Sequence, residues 1–250
     1  MNRHLGISVD HMDLNFVLQN NINWIQISNK FSSAKDITSL LKICQNHPLK
    51  ISYMFPVFNQ NNPEMIFFLS NEKRLRDATM EILEENLSMA KSLPTEHVVV
   101  NLISPLITDI DKSLIDQTIV ELEELAYKYE IPILIHLEDY SLFEGSNIIK
   151  DIMDSTSLRL SIDINKFYRF SSINKLNFKV ELNSIIQYVK LINITFDVDY
   201  LILQDTLNYM YDKISRIPII IKTRNKNQKQ QIYHKVKSIR EIVVKEKAFN

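Results

Sequence analysis

Glycine is nearly absent from this sequence. Gly6 and Gly145 are the only two glycines among 250 residues, whereas proteins average about 7% glycine. The phosphate-cradling loops of nucleotide-binding proteins need several glycines close together, because the backbone must approach the phosphate with no Cβ atom in the way. The sequence therefore excludes a nucleotide P-loop and a glycine-rich dinucleotide fingerprint.

Cysteine and long apolar runs are equally scarce. Cys44 is the only cysteine, which rules out an intramolecular disulfide and a zinc site built from cysteines. No apolar run is long enough to span a bilayer, and the segment from Met1 to Val9 lacks the apolar core of a signal peptide. We therefore predict a cytoplasmic protein with no membrane partner.

Charge of one sign is not in excess either. The chain has 29 basic and 30 acidic residues and a formal net charge of -1. No overall field attracts it to nucleic acid, which is not an expected partner. A basic segment runs from Lys222 to Lys247, with nine Lys or Arg residues against two Glu, and a solvated helix face is the preferred interpretation of it.

The sequence does contain a regular alternation of short apolar runs and helical patterns. Such alternation is typical of a parallel sheet covered by helices, and eight units favour a closed barrel over an open sheet. We predict an α/β fold, a single (β/α)8 TIM barrel in which residues 1–250 form one domain. The predicted strands are Leu5–Val9, Trp24–Ser28, Lys50–Phe55, His97–Ile103, Ile131–Glu138, Leu158–Asp163, Tyr188–Phe196 and Ile217–Thr223.

Helical spacing of apolar residues predicts the intervening helices. Ser70 is expected to cap a long helix that ends near Ser92, before Pro94. The other predicted helices are Ser113–Tyr129, Ala34–Gln45, Gly145–Asp154, Phe178–Gln187, Leu201–Ile214 and Asn227–Val244. The longest irregular segment, from Pro56 to Leu69, follows the third strand on the side where barrel sites form and is a candidate lid.

Two carboxylates stand at the ends of neighbouring predicted strands. Glu138 follows the apolar run of the fifth strand, and Asp163 ends the sixth. Two inward carboxylates on adjacent strands are typical of a metal site. Lys166, Asn193 and Lys222, however, stand where further ligands would be expected.

Several short motifs resemble those of the xylose isomerase-like barrels, a superfamily of sugar and sugar-phosphate isomerases and epimerases and type-IV apurinic endonucleases. On the third strand, Ser52-Tyr53-Met54-Phe55-Pro56-Val57-Phe58-Asn59 is similar to the family's Ser-x-His-x-Pro-Tyr-x-x-Asn stretch, with Met54 in the place of the histidine. Tyr129-Glu130-Ile131-Pro132 precedes a strand that leads to Glu138, again as in the family. The resemblance covers nearly the whole chain and implies the same fold.

The resemblance also implies an incomplete set of metal ligands. Glu138 and Asp163 stand at the family's glutamate and aspartate ligand positions. Residues that bind divalent metals poorly stand at the other positions: Asn101, Lys166 and Asn193 in place of histidines, and Lys222 and Gln26 in place of glutamates.

These replacements should prevent the binding of a divalent metal. Zinc and manganese sites need several imidazole or carboxylate donors, and a protonated lysine has no lone pair to offer. We therefore predict no metal and no cofactor. Lys166 and Lys222 can place ammonium groups where a metal would sit, beside Glu138 and Asp163, and these four are the candidate catalytic residues. His136, Asn101, Asn193, Gln26, Met54 and Asn59 are the candidate ligand-binding residues.

Structural interpretations compete with these roles. Glu138 and Asp163 would equally be explained by salt bridges to lysines at the barrel rim. His136 faces the same way as Glu138 and is explained as a hydrogen-bonded core histidine or as a base. Lys166 or Lys222 would act as a base, or form a Schiff base, only if burial lowered its pKa.

Three functions follow from these alternatives. The first is a metal-free barrel, a pseudoenzyme, that binds a small polar or sugar-like ligand, a protein partner or a second copy of itself. The second is a sugar or sugar-phosphate isomerase, epimerase or lyase that uses Glu138 and Asp163 with Lys166 or Lys222. The third, apurinic endonuclease activity, is least favoured because ligands of the family's metal cluster are replaced.

Overall fold

A computed structural model describes most of the chain. The described residues are 4–9, 14–28, 34–55, 67–102, 112–137, 146–195, 204–206, 209, 216–222, 234 and 236–239. Within them, no helix combines the length and the hydropathy that crossing a bilayer requires.

Eight parallel strands close into a barrel in which each strand pairs with the next along the chain, and β8 pairs with β1. The predicted α/β fold of the (β/α)8 class is thereby confirmed. Each strand lies within two residues of its predicted position, because apolar runs between turns mark strand centres better than strand ends. The strands are β1 Leu5–Ser8, β2 Trp24–Ser28, β3 Lys50–Met54, β4 Thr95–Asn101, β5 Ile133–Leu137, β6 Arg159–Asp163, β7 Val189–Thr195 and β8 Ile219–Lys222.

Helices cover the outside of the barrel. Within the described residues, the helices with defined bounds are α1 Leu14–Gln19, α2 Ala34–Asn46, α3 Lys73–Lys91, α4 Lys112–Tyr129, α5 Ser146–Asp154, α6 Ile164–Ile173 and α7 Phe178–Ile185, which continues into a 3-10 turn at Ile186–Tyr188. The predicted helices Leu201–Ile214 and Asn227–Val244 lie mostly outside the described residues, as does the candidate lid.

The predicted cap at Ser70 is wrong. Helix α3 begins at Lys73, with Glu72 at the N-cap and no side-chain cap. The hydroxyl of Ser70 instead accepts a hydrogen bond from the backbone N–H of Glu72 at 3.1 Å. Ser70 thus shapes the turn that leads into the helix, because a serine hydroxyl can bond the backbone two residues on as readily as it can cap.

Two apolar layers hold the barrel together. The larger one packs the outer faces of the strands against the helices. The smaller one fills the interior with Trp24, Val99, Leu134, Leu191 and Ile220. The interior of this barrel is therefore a packed core, as in other barrels of eight parallel strands.

Gly6 is required by this interior packing. A Cβ atom at position 6 would lie 2.3 Å from Cδ1 of Ile220 and 2.6 Å from Cβ of Trp24. One of the two glycines in the chain thus stands where two large side chains leave no room for a methyl group.

Candidate functional site

A polar level lies above the apolar interior, toward the C-terminal ends of the strands. Successive residues of a strand face opposite sides, so a residue two positions after an interior residue also faces inward. Gln26, Asn101, His136, Asn193 and Lys222 each stand two positions after one of the five interior apolar residues. The structure therefore brings five of the predicted site residues to one level of the barrel.

Three of these side chains, those of His136, Asn193 and Lys222, form a hydrogen-bonded network with Ser161. Nζ of Lys222 lies 3.2 Å from Nε2 of His136. On the other side of the ring, Nδ1 of His136 lies 3.1 Å from Oγ of Ser161 and 3.2 Å from its carbonyl oxygen. The amide of Asn193 donates to the same Ser161 hydroxyl at 2.8 Å. Strands β5, β6, β7 and β8 are thus linked through polar side chains.

The contacts of His136 define its protonation. A carbonyl oxygen can only accept, so Nδ1 carries the proton and Nε2 accepts from the Lys222 ammonium. Burial lowers the pKa of His136 well below its usual value, and the charges of Lys222 and then Lys166 lower it further, against the hydrogen bond to the backbone of Ser161. His136 is therefore a neutral imidazole of one tautomer next to two cations.

Asp163 has a structural contact that the sequence analysis did not anticipate. Its side chain is fully buried and caps helix α6, with Oδ1 accepting from the backbone N–H groups of Asn165 at 3.0 Å and Lys166 at 3.2 Å. An aspartate is a favoured N-cap because its oxygen satisfies N–H groups that have no partner within the helix. Asp163 therefore orients the first turn of α6, which carries Lys166.

The remaining predicted site residues fall into three groups. Gln26 is buried and donates to Oγ of Ser52 at 3.3 Å. Met54 and Lys166 are partly exposed, Met54 at the end of β3 and Lys166 in α6. Glu138 and Asn59 lie outside the described residues, so their predicted roles stay predictions.

Ser161 is the member of this network that the sequence analysis missed. It stands two positions before Asp163 and is fully buried, so the alternation of strand faces already placed it on the inner side. It was missed because no sequence motif connects a single serine in an apolar strand with the side chains that it contacts. The structure makes it the common partner of His136 and Asn193.

The described side chains do not fit a divalent metal. No group of three or more His, Cys, Asp or Glu residues converges among them. The imidazole nitrogen that faces the interior, Nε2 of His136, accepts from Lys222 instead, and the positive charges of Lys222 and Lys166 oppose the approach of another cation.

Comparison with known proteins gives structural matches and no sequence matches. No family model and no curated protein matches the sequence. A D-tagatose 3-epimerase-like protein superposes with a TM-score of 0.73 at 16% identity, over 97% of this chain and 99% of the other. The 3-keto-D-glucoside 4-epimerase of E. coli gives 0.69 at 10% identity over 96% and 98%, and a D-psicose 3-epimerase crystallised with D-fructose gives 0.67 at 11% identity over 96% of each chain.

These matches extend over nearly the full length of each protein, so they concern the whole barrel and not one βα unit. The likeness was anticipated by the motif around Met54 and by the strand that leads to Glu138. At identities this low it establishes the architecture, and activity has to be argued from the site. The chain therefore has the (β/α)8 barrel architecture that these three proteins share.

Proposed function

We propose that this barrel binds a small, sugar-like polyhydroxylated ligand at the C-terminal ends of its strands, and that it does so without a divalent metal. The proposal makes the chain a metal-free binding protein built on the scaffold of a sugar epimerase. Its ligand site consists of the polar level described above and of the residues that rise from it toward solvent.

The contact between Lys222 and His136 carries this proposal. In a metal-dependent barrel the centre of the polar level would hold a cation surrounded by lone-pair donors. Here an ammonium group, 3.2 Å from a neutral imidazole, supplies the positive charge. A ligand hydroxyl or carbonyl oxygen can accept a hydrogen bond from that ammonium as it would otherwise bind a metal.

Burial divides the polar level into two depths. Gln26, Asn193 and Ser161 are buried and bond one another or their neighbours, so they support the site from below. Lys222 and Lys166 are partly exposed and stand nearer to solvent. The two lysines are thus the side chains that contact a ligand. A sugar is a suitable ligand because the oxygen of each hydroxyl group can accept a hydrogen bond from a lysine ammonium group.

The experiment is a calorimetric titration with D-fructose, D-psicose and D-tagatose in buffer that contains EDTA. We expect binding of at least one sugar, and we expect Lys222→Met to weaken it about ten-fold or more, because a charge-assisted hydrogen bond is lost. Lys150→Met is the matched control: Lys150 is exposed on α5, and its replacement should leave binding unchanged.

Two results would contradict the proposal. If none of the three sugars bound, the assigned ligand class would be wrong. If binding disappeared in EDTA and returned with stoichiometric zinc or manganese, the site would be metal-dependent.

A sugar isomerase or epimerase is the second candidate, favoured by the same pair of residues. Removal of a proton next to a carbonyl group places negative charge on the carbonyl oxygen, and the ammonium of Lys222 can stabilise that charge. Asp163 or Glu138 would then transfer the proton. Uptake of deuterium from D2O into the ketose, followed by NMR and abolished by Lys222→Met, would establish this activity over binding alone.

A further inference from the structure

A cleft of about 970 Å³ opens at the other end of the barrel. It is lined by α4, by the first residues of β2 and of strands β4 to β7, and by the residues that precede β8. All strands are parallel, so these starts lie on the face opposite the polar level. Nothing in the proposed sugar site uses this cleft.

The acidic side chains of the cleft already have partners. Glu96 pairs with Lys50 at 2.9 Å, Glu130 pairs with Lys91 at 3.4 Å, and Glu123 accepts a hydrogen bond from the backbone N–H of Ser157. Lys128, also in the wall, pairs with Glu84. The charges of Glu96, Glu130 and Lys128 are therefore compensated by ion pairs, whereas Glu123 keeps its charge because an amide N–H is neutral.

Three other basic residues leave an excess of positive charge. Arg159 is held in place, since its Nη1 donates to the carbonyl oxygens of Thr156 at 3.1 Å and Leu158 at 2.6 Å. Lys190 and Arg216 are exposed, and within the described part of the chain neither has an ion-pair partner. The three belong to β6, to β7 and to the turn before β8, so they are neighbours around the cleft.

Aromatic side chains lie beside these basic residues. Trp24 stacks on His97 with ring centroids 5.6 Å apart and an angle of 27° between the rings, and both line the cleft. Burial lowers the pKa of His97 to about 3, so this ring adds no charge near neutral pH. On the rim, the ring of Tyr127 is 89% exposed, so it is available to contact a ligand.

We propose that this cleft is a second ligand site and that it binds a phosphomonoester with a flat apolar ring. The phosphate group lies against Arg159, Lys190 and Arg216, and the ring lies against Tyr127 and the apolar floor. A phosphomonoester dianion carries more negative charge than a carboxylate, so three neighbouring cations attract it more strongly. Guanidinium groups also match the geometry of phosphate oxygens.

The test is a calorimetric titration of the full chain with phenyl phosphate, inorganic phosphate and benzoate at low ionic strength. We expect phenyl phosphate to bind most tightly. The double variant Lys190→Gln/Arg216→Gln should weaken its binding about ten-fold, since two compensating charges are lost. Tyr127→Ser should weaken phenyl phosphate and leave inorganic phosphate unchanged.

A matched double variant controls for net charge. Lys150→Gln/Lys237→Gln removes two exposed basic residues that do not line the cleft, and it should bind phenyl phosphate as the wild type does. Equal weakening in both double variants, or no binding to the wild type at millimolar concentration, would overturn the proposal. Tighter binding of benzoate than of phenyl phosphate would overturn the assignment to phosphate. The sugar titration of the C-terminal site is independent of each of these results.

Discussion

Nζ of Lys222 lies 3.2 Å from Nε2 of His136, so an ammonium group and a neutral imidazole meet across the interior of the barrel. The two residues belong to β8 and β5, which are not neighbours in the sheet. Their contact is therefore a property of the closed barrel, and it gives the polar level its positive charge.

Removal of Lys222 or of Lys166 should change the pKa of His136. We expect Lys222→Met to raise the pKa of His136, because a positive charge that opposes protonation is lost. Lys166→Met should raise it less, since Lys222 has the larger effect. NMR titration of the His136 ring in the wild type, Lys222→Met and Lys166→Met measures the three pKa values. As a control, Lys150→Met should leave the pKa of His136 unchanged. An unchanged pKa in Lys222→Met would mean that the contact with Lys222 does not exist in solution.

Two substitutions separate the structural role of Asp163 from a role in binding. Asp163→Ala should lower the free energy of unfolding by about 1 kcal/mol, because the cap of α6 is lost. Asp163→Asn keeps a side-chain oxygen for the cap and should retain most of that stability. Urea unfolding provides the measurement.

The same asparagine variant tests the ligand site. We expect Asp163→Asn to weaken sugar binding, because the substitution removes the negative charge of Asp163 beneath the site while helix α6 remains capped. Wild-type affinity in this variant would assign Asp163 to the helix cap alone.

His97 should make the protein less stable in mild acid. Its pKa is about 3 in the folded state against an ordinary value of 6.5. As pH falls below 6.5, the unfolded chain takes up a proton that the folded protein does not bind, so stability falls through this window down to about pH 3. Each pH unit corresponds to about 1.4 kcal/mol for one such group.

Replacement of this histidine should flatten the acid dependence. Between pH 7 and pH 5, the free energy of unfolding of His97→Phe should fall by about 2 kcal/mol less than that of the wild type. Phenylalanine keeps a ring against Trp24, and the comparison uses the change with pH, so a constant loss of stability does not affect it. Parallel curves for the two proteins would show that His97 is protonated in the folded state.

Gly6 should tolerate no side chain. We expect Gly6→Ala to lower the free energy of unfolding by about 1–3 kcal/mol, because the new methyl group would overlap Ile220 and Trp24. Ile220→Val removes the Cδ1 atom that lies nearest. The double variant should therefore be more stable than the sum of the two single effects predicts, although the contacts with Cβ and the carbonyl oxygen of Trp24 remain. Additive losses in urea unfolding would contradict this packing.

Much of the fold was predictable from local patterns. Apolar runs of strand length, separated by helical periodicity, located all eight strands within two residues of their observed positions. Helices α1 and α6 were missed for physical reasons. Helix α1 has six residues, too few for a periodic signal, and α6 begins directly after β6 with no loop between them. Asp163 is at once the last residue of the strand and the cap of the helix.

The candidate site was predictable in part. The period of two in strand geometry already implied that His136 and Lys222 face inward once their strands were located. Ser161 escaped notice, and so did the capping role of Asp163, because each depends on a partner that the sequence does not identify. The roles of Glu138 and Asn59 stay predictions.

The sequence by itself determined the barrel and its parallel order, because these depend on residue type and short-range spacing. Only the tertiary structure decided which polar groups touch. Lys222 and His136 are 86 residues apart, and the cleft between Tyr127 and Arg216 gathers residues from five strands and a helix. Such contacts follow from closure of the barrel, which sets distances between strands that no local pattern encodes.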